Sequence, residues 1–425
     1  MRVSIEKGRV IDPAAGFDAA ADVHIEDGRI VAVGKAPEGF APDRRIDARD
    51  RIVCPGLVDL RARLREPGQE HKASIASETR AAAAGGITTL CMPPDTQPVI
   101  DTPAVAELIR RRAADAGFAR VLPLAALTTG LAGEQLAEMA RLKAAGCVGV
   151  SNALAPISNT LVMRRAMEYA ASHGLTVFLY AEDAYLGGGC AHEGAVSTRL
   201  GLPAIPEAAE TVAVARDLML IEQTGARVHF CHLSSERALR MIAWAQYDGL
   251  PITADVTAHH LHLTEHDLGH FNANCHVRPP LRTQRDREGL RHGLAAGTLA
   301  GICSDHQPHD ADAKLAPFSE TEPGISGLET LLALTLRLAD EDGPLSLGDA
   351  LACITSRPAQ VLGIEAGTLG VGRSVDVCVF DPEAYWTVDP GALVSRGKNT
   401  PFGGWELKGR VTHTLFAGQV VYSLE

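Results

Sequence analysis

Three arginines alternate in the stretch PGLVDLRARLREPG, which runs from residue 55 to residue 68. Arg61, Arg63 and Arg65 directly follow a short apolar run, and a spacing of two in an extended strand places side chains on one face. Three like charges at the end of a strand are costly unless anionic groups face them. The pattern therefore predicts a site that holds carboxylates of the protein or another anion.

Polar side chains also follow other short apolar runs of the sequence. They are Ser151, Asn152, Tyr180, Glu182, Asp183, His232, His259, His260, Asp305, His306 and His309. A single histidine such as His232 is more often a hydrogen-bonded structural residue than a ligand. Six strand ends that carry polar groups toward one place are harder to explain in that way, and together they indicate a functional site.

The elements that must position these residues follow a repeated pattern of strand and helix. Short apolar runs alternate with helical patterns such as TPAVAELIRRRAADAG, several of which end in glycine. The candidate strands span residues 56–63, 88–92, 120–127, 147–151, 176–182, 227–233, 251–257 and 299–305. Eight such units predict an α/β fold, a (β/α)₈ TIM barrel over residues 53–364, with its working face at the carboxyl ends of the strands.

The two ends of the chain show a different pattern, with alternating apolar residues and tight turns. ADVHIEDGRIVAVG carries Asp-Gly between two alternating runs, which is a strong hairpin signal, and GRVTHTLFAGQVVYS near the other end resembles it. We therefore predict one small β-sandwich domain built from residues 1–52 and 365–425, outside the barrel.

Composition restricts the class of protein. The 425 residues carry a net charge of −12, which argues against a nucleic-acid partner. Nine cysteines stand singly, as expected for buried thiols in a reducing compartment, so we predict a cytoplasmic location. The N-terminus does not read as a signal peptide, and no apolar run reaches the roughly 18 residues that a membrane span needs.

Several blocks of the sequence, in order and spread over nearly the whole chain, resemble bacterial dihydroorotases of the cyclic amidohydrolase superfamily. The blocks are PGLVDLRARLREPGQEHKASIASETRAAAAGGITTLCMPPDTQPVID, AEDAYLGGGCAHEG, HFCHLSS, VTAHHLHLTE, SDHQPH, GISGLET and SRGKNTPFGG. The resemblance implies a metal-dependent barrel that carries a β-sandwich made from both termini. This agrees with the architecture predicted from the strand and helix patterns.

The resemblance also implies metal ligands that this chain has lost. Members of the family carry His-x-His after the first strand, an aspartate or carboxylated lysine after the fourth, and a histidine on the fifth. These positions hold Arg61, Arg63, Asn152 and Tyr180. His232 and Asp305 remain from the ligand set, and Asp305 corresponds to the catalytic base of the family.

Two remaining ligands are too few for catalytic zinc, which takes about three protein ligands. Arginine stays protonated and has no lone pair to offer a metal. We therefore expect no metal cofactor and an idle Asp305; a chain that had kept its activity would hold zinc.

The resemblance implies that Arg65 and His309 keep the substrate-binding positions of the family. Asp95 stands where the family carries one asparagine, and Arg278 replaces another. We therefore expect a pocket whose polarity differs from that of the family.

Two roles remain open for the arginines. In the first, which we favour, Arg61 and Arg63 are structural ion-pair partners for acceptors left by the missing metals, namely Asp305, Glu182 and Asp183. In the second, four arginines form a pocket for an anionic ligand; they are Arg61, Arg63, Arg65 and Arg278.

The degraded first-strand motif resembles a class of inactive dihydroorotase-like subunits that assemble with aspartate transcarbamoylase. The resemblance implies a structural partner of the transcarbamoylase catalytic subunit in pyrimidine biosynthesis, present as a homo-oligomer within a larger complex. Two alternatives are an active zinc dihydroorotase, which hydrolyses dihydroorotate to N-carbamoyl-aspartate, and an amidohydrolase-fold protein that binds another anion.

Overall fold

The computed structural model describes residues 1–340 and 345–424, in which strands and helices alternate through the middle of the chain. The strands are β1 (Arg2–Asp12), β2 (Phe17–Glu26), β3 (Arg29–Val33), β4 (Arg44–Asp47), β5 (Ile52–Pro55), β6 (Leu57–Asp59), β7 (Ile87–Met92), β8 (Arg120–Pro123), β9 (Ala125–Ala126), β10 (Gly149–Ser151), β11 (Thr176–Tyr180), β12 (Ala191–His192), β13 (Ala204–Ile205), β14 (Val228–Cys231), β15 (Ile252–Thr257), β16 (Gly301–Cys303), β17 (Val377–Thr387), β18 (Glu406–Phe416) and β19 (Gln419–Ser423). The helices are α1 (Ile75–Ala84), α2 (Pro103–Ala116), α3 (Met139–Ala144), α4 (Thr160–Ser172), α5 (Ala195–Leu200), α6 (Ala208–Thr224), α7 (Glu236–Tyr247), α8 (Gln284–Ala295), α9 (Leu331–Asp340), α10 (Leu347–Ala352) and α11 (Ser356–Leu362).

The middle of the chain forms a parallel barrel, and all eight predicted strands are present. One sheet runs β6-β7-β8 and another runs β16-β15-β14-β11-β10-β9. Strands β8 and β9 continue one another as the third barrel strand, because β8 pairs with β7 while β9 pairs with β10. A parallel bridge between Ala62 and His306 closes the ring between its first and eighth strands. The predicted (β/α)₈ fold is thus confirmed.

Local sequence explains why these elements form. Every residue of β7 (ITTLCM) is buried, as expected for a parallel strand covered on both faces. The buried residues of α4 are Met163, Ala166, Met167 and Ala170, whose spacing of three and four places them on one helical face. Ser235 caps α7 by accepting a hydrogen bond from the backbone N–H of Ala238, and this cap fixes where the helix begins after β14.

Both chain ends build one eight-stranded sheet, with the order β19-β18-β17-β5-β1-β2-β3 and with β4 beside β1. The edge strand β3 also contacts the segment that leads into β17, because the N–H of Ile30 donates to the carbonyl of Arg373 and the N–H of Val375 donates to the carbonyl of Gly28. The boundary predicted after residue 52 falls inside β5. This strand pairs with both β1 and β17, so the sheet continues to Pro55.

The terminal domain and the barrel share part of their apolar core. Ile11, Phe380, Leu407 and Val411 of the terminal strands belong to the same buried cluster as the barrel side chains. An ion pair of 2.9 Å between Arg120 and Asp376 also joins the two parts. Among the residues that the structure describes, no helix combines the length and apolar character needed to cross a membrane.

Candidate functional site

The first barrel strand ends before the three arginines of the sequence stretch. Strand β6 ends at Asp59, and Arg65 has a positive φ of 63°. The predicted alternation on a single strand face is therefore incorrect for Arg65, because the chain has already turned. Arg61 and Arg63 are 1% and 4% exposed, and both approach Asp305 at the end of β16.

Arg63 joins two carboxylates beneath the mouth of the barrel. Its Nε donates to Oδ2 of Asp95 at 2.8 Å, and its Nη1 donates to Oδ1 of Asp305 at 3.0 Å. The other oxygen of Asp305 accepts a hydrogen bond of 2.9 Å from Nε2 of Gln307. Arg63 thus has the ion-pair role that its position predicted, with Asp95 as an additional partner.

Arg61 meets Asp305 less closely. Its Nε lies 3.6 Å from Oδ1 of Asp305, and none of its three guanidinium nitrogens has a hydrogen-bond partner among the described residues. Its guanidinium also lies near the Cys231 thiol, which is only a weak acceptor. Arg61 is therefore placed beside Asp305 as predicted, but its guanidinium makes no hydrogen bond within the described residues.

The two carboxylates respond differently to this environment. Burial raises the pKa of Asp305, and the opposing charges of Arg63 and Arg61 only partly offset it. Burial also acts to raise the pKa of Asp95, but Arg63 and Arg61 outweigh burial there and hold that pKa below its ordinary value. Asp95 is therefore the more firmly ionised partner of Arg63.

The side chains of Arg65 and His309 lie beside each other. Arg65 donates through Nε to the carbonyl of Pro308 at 3.0 Å, and its Nη2 lies 3.0 Å from Nε2 of His309. Burial, followed by the charge of Arg65, lowers the pKa of His309 to about 2. His309 is consequently neutral at physiological pH.

Asn152 and Tyr180 make local structural contacts at the ends of their strands. The amide of Asn152 pairs with the backbone of Tyr180, because Oδ1 accepts from its N–H at 2.9 Å and Nδ2 donates to its carbonyl at 3.0 Å. The hydroxyl of Tyr180 donates to Glu182 at 2.7 Å. Both side chains are thereby committed to hydrogen bonds within the protein.

Two sequence expectations about the acceptors and the fourth arginine are corrected here. Glu182 pairs with Arg278 at 2.8 Å and not with the first-strand arginines, because Arg278 approaches it from the segment after β15. Asp183 instead accepts the backbone N–H groups of Tyr185 and Leu186. Arg278 therefore pairs with a different carboxylate from the one that Arg61 and Arg63 approach.

His232 lies at the end of β14, with a positive φ of 58°. Its backbone N–H donates to Oδ1 of Asp255 at 2.6 Å, while the Nε2 of His229 lies 3.0 Å from Oδ2 of the same carboxylate. The Nδ1 of His232 lies 3.9 Å from Oδ2 of Asp305. Burial and the charges of Arg61 and Arg63 lower the pKa of His232 far below its ordinary value, so the ring is neutral.

These donors do not fit a zinc site of the kind that the family implies. In the described part of the chain, two buried triads could offer metal ligands: His229 with Cys231 and Asp255, and His232 with Asp255 and Cys303. Both depend on Asp255, whose oxygens already accept hydrogen bonds, and on thiols whose pKa burial raises well above the ordinary value. Asp305 belongs to neither triad and is bonded to Arg63.

Sequence reasoning did not identify a buried network that supports the eighth strand end. The Nε2 of His306 lies 2.8 Å from Oε2 of Glu78, and this same oxygen accepts the hydroxyl of Ser395 at 2.6 Å. Asn399 accepts the backbone N–H of His309 at 2.9 Å. Ser395 and Asn399 both lie in the SRGKNTPFGG block, whose family resemblance was the available signal.

Relatives with the same overall length support the family resemblance. The family model described as "Dihydro-orotase-like" matches residues 50–238, and the family model described as "Amidohydrolase family" matches residues 311–422. A "Dihydroorotase-like protein" of Pseudomonas putida is 51% identical, with both chains fully covered. A "Dihydroorotase" of Syntrophotalea carbinolica is 48% identical, again over the full length of both.

Solved structures support the fold. The L-hydantoinase (dihydropyrimidinase) of Arthrobacter aurescens gives a TM-score of 0.88 at 22% identity, covering 100% of this chain and 97% of that one. A D-hydantoinase of Thermus sp. gives 0.85 at 22% identity, with coverage of 99% and 96%. Identity over the full length of the Pseudomonas and Syntrophotalea relatives shows that this chain belongs to the dihydroorotase-like family.

Proposed function

We propose that this chain is a non-catalytic, metal-free dihydroorotase-like subunit that assembles with the catalytic subunit of aspartate transcarbamoylase. In this role it acts in the cytoplasm, in pyrimidine biosynthesis, as a homo-oligomer within a larger complex. The barrel then serves as a scaffold, and its former reaction centre is held together by ion pairs.

One contact carries the proposal. Arg63, at a position where the family resemblance implies a metal-binding histidine, donates at 3.0 Å to Asp305, at a position where it implies another ligand. A guanidinium bonded to this carboxylate excludes a dication from the same oxygen by charge and by space. Activated water at neutral pH requires such a metal in this class of hydrolase.

Co-expression with the transcarbamoylase of the same organism tests the partnership. We expect the two chains to elute together at a defined mass in light scattering, and we expect transcarbamoylase assembly or activity to fall when this chain is omitted. An unrelated (β/α)₈ protein of similar size is the control. A transcarbamoylase that assembles fully alone and does not co-elute with this chain would contradict the proposal.

The second candidate is an active zinc dihydroorotase. Relatives named "Dihydroorotase" favour it, including proteins of Syntrophotalea carbinolica and Anaeromyxobacter at 48% and 47% identity. Metal analysis and a dihydroorotate assay of the purified chain separate the two candidates. We expect less than stoichiometric zinc, no turnover and no effect of a chelator on Tm; stoichiometric zinc with turnover would favour the active enzyme.

A further inference from the structure

The Arg61 guanidinium is a buried charge whose donors are unused. Arg61 is 1% exposed, and its Nε, Nη1 and Nη2 have no hydrogen-bond partner within residues 1–340 and 345–424. Guanidinium groups remain protonated in proteins, and a buried donor without a partner costs roughly 1–3 kcal/mol, more when it is charged. An anion that accepts hydrogen bonds from the Arg61 guanidinium would remove this cost.

Two neighbouring side chains also present unused nitrogens. Nη2 of Arg63 and Nε2 of His232 have no partner among the described residues, although both side chains are almost fully buried. All three side chains approach the same carboxylate through one atom each: Nε of Arg61 lies 3.6 Å, Nη1 of Arg63 lies 3.0 Å and Nδ1 of His232 lies 3.9 Å from an oxygen of Asp305. Nδ1 of His232 lies 3.9 Å from the Cys303 thiol and can accept from it, which leaves Nε2 to act as the donor.

The acceptors within the protein do not satisfy this set. The Oδ1 of Asp305 is bonded to Arg63, and its Oδ2 accepts from Gln307. Asp255 is bonded to His229 and to the backbone of His232. The negative charges of these carboxylates are electrostatically favourable for Arg61, but their oxygens accept hydrogen bonds from other groups.

We propose that Arg61, Arg63 and His232 form a binding site for a small, planar, singly charged oxyanion of the carboxylate or bicarbonate class. A guanidinium presents parallel N–H groups that match two oxygens of such an ion. The nearby carboxylates disfavour a ligand with two negative charges, and the enclosed position disfavours a large one. This site differs from the substrate position implied at Arg65 and His309, and it is independent of the proposed partnership.

Isothermal titration of the full-length protein tests the proposal, with formate and bicarbonate as separate probes and sulfate as the doubly charged comparison. The protein is first dialysed into a gluconate buffer of constant ionic strength, with long equilibration because the donors are enclosed. We expect saturable binding of formate or bicarbonate at one site per chain, and sulfate at least tenfold weaker. Binding of neither small ion, or sulfate binding as tightly, would overturn the proposal.

Arg61→Met removes the guanidinium while keeping an unbranched side chain. We expect at least a tenfold loss of affinity for formate or bicarbonate. Arg164→Met, on the exposed face of α4, is the matched control and should bind as the wild type does. Circular dichroism checks the fold of both variants. Should Arg61→Met not fold, Arg61→Lys, which keeps the charge without the guanidinium, must weaken binding and reduce the rise in Tm that formate gives the wild type. Unchanged affinity in a folded Arg61 variant would refute the site.

Discussion

Arg61 and Arg63 lie two positions apart, yet their guanidinium groups contribute differently to the barrel. Arg63 makes two close ion pairs, at 2.8 Å to Asp95 and 3.0 Å to Asp305. The guanidinium of Arg61 lies 3.6 Å from Asp305 and makes no hydrogen bond among the described residues. Burial is costly for both charges. The charge of Arg63 is compensated by its two ion pairs, whereas the charge of Arg61 depends on the anion that we propose binds beside it.

Replacing Arg63 with methionine should destabilise the protein strongly. Removing one partner of a buried ion pair leaves an uncompensated charge, with a typical loss of about 3–5 kcal/mol. Asp305 is 2% exposed and would lose its closest cation. Urea unfolding at neutral pH measures the loss as a fall in the free energy of unfolding.

Two other substitutions make the Arg63 result specific. Arg165→Met removes an exposed pair with Glu168, and such pairs contribute about 0–1 kcal/mol. Arg61→Met, measured without formate or bicarbonate, should cost less than Arg63→Met, because it removes a charge that lacks hydrogen bonds. If Arg61→Met proved the more damaging of the two, the contrast between these arginines would be refuted.

At the scale of the elements, Asp59 connects the first and eighth barrel strands. Asp59 is the last residue of β6. Its Oδ1 accepts a hydrogen bond of 2.9 Å from the backbone N–H of Ser304, which directly follows β16. Its Oδ2 accepts the hydroxyl of Ser304. This carboxylate therefore helps to close the barrel where the chain passes from its first strand into the arginine stretch.

The same carboxylate gives the closure a pH dependence. Burial raises the pKa of Asp59 to about 7, against the opposing hydrogen bonds from Ser304 and Arg61. An unfolded aspartate has a pKa of about 3.9, so between the two values the folded chain binds a proton that the unfolded chain has released. The contribution of Asp59 to the free energy of unfolding therefore falls as pH rises from about 4 to about 7.

Asp59→Asn should remove this component of the pH profile. From pH 5 to pH 7 the wild type should lose about 2 kcal/mol more than the variant, since one shifted group contributes about 1.4 kcal/mol per pH unit and this slope decreases as the pH approaches the folded pKa. Urea unfolding across this range measures the slopes. Asp248→Asn, at an exposed helix end, is the control and should follow the wild type. Parallel profiles for the wild type and Asp59→Asn would contradict the assignment.

The barrel strands were predictable because each combines a short buried run with a following helix pattern, as β7 and α2 do. The end of β6 was not predictable, since the apolar residues Leu60, Ala62 and Leu64 continue the alternation while the backbone turns. The pairing of Arg63 with Asp305 followed from the family positions of the two residues. The pairing of Arg278 with Glu182 depends on how two loops approach each other, which spacing along the chain does not encode.

At the scale of the whole molecule, the terminal sheet and the barrel share one apolar core. Leu407 on β18 is 1% exposed and belongs to the apolar cluster that fills the space around the barrel. The threonine Thr414 on the same strand donates to the carbonyl of Ala83 in α1 at 2.6 Å. A shared core of this kind gives neither part a complete set of buried contacts alone.

Leu407→Ala should therefore lower the stability of the whole chain in one step. Truncation of a buried leucine typically costs about 2–5 kcal/mol, and calorimetry should show a single transition at lower Tm for the variant, as for the wild type. Leu161→Ala is the matched control, because Leu161 on α4 is 59% exposed and its loss should change stability by less than about 0.5 kcal/mol. Two separate transitions in the Leu407 variant, with the barrel transition unchanged, would show that the sheet and the barrel unfold independently.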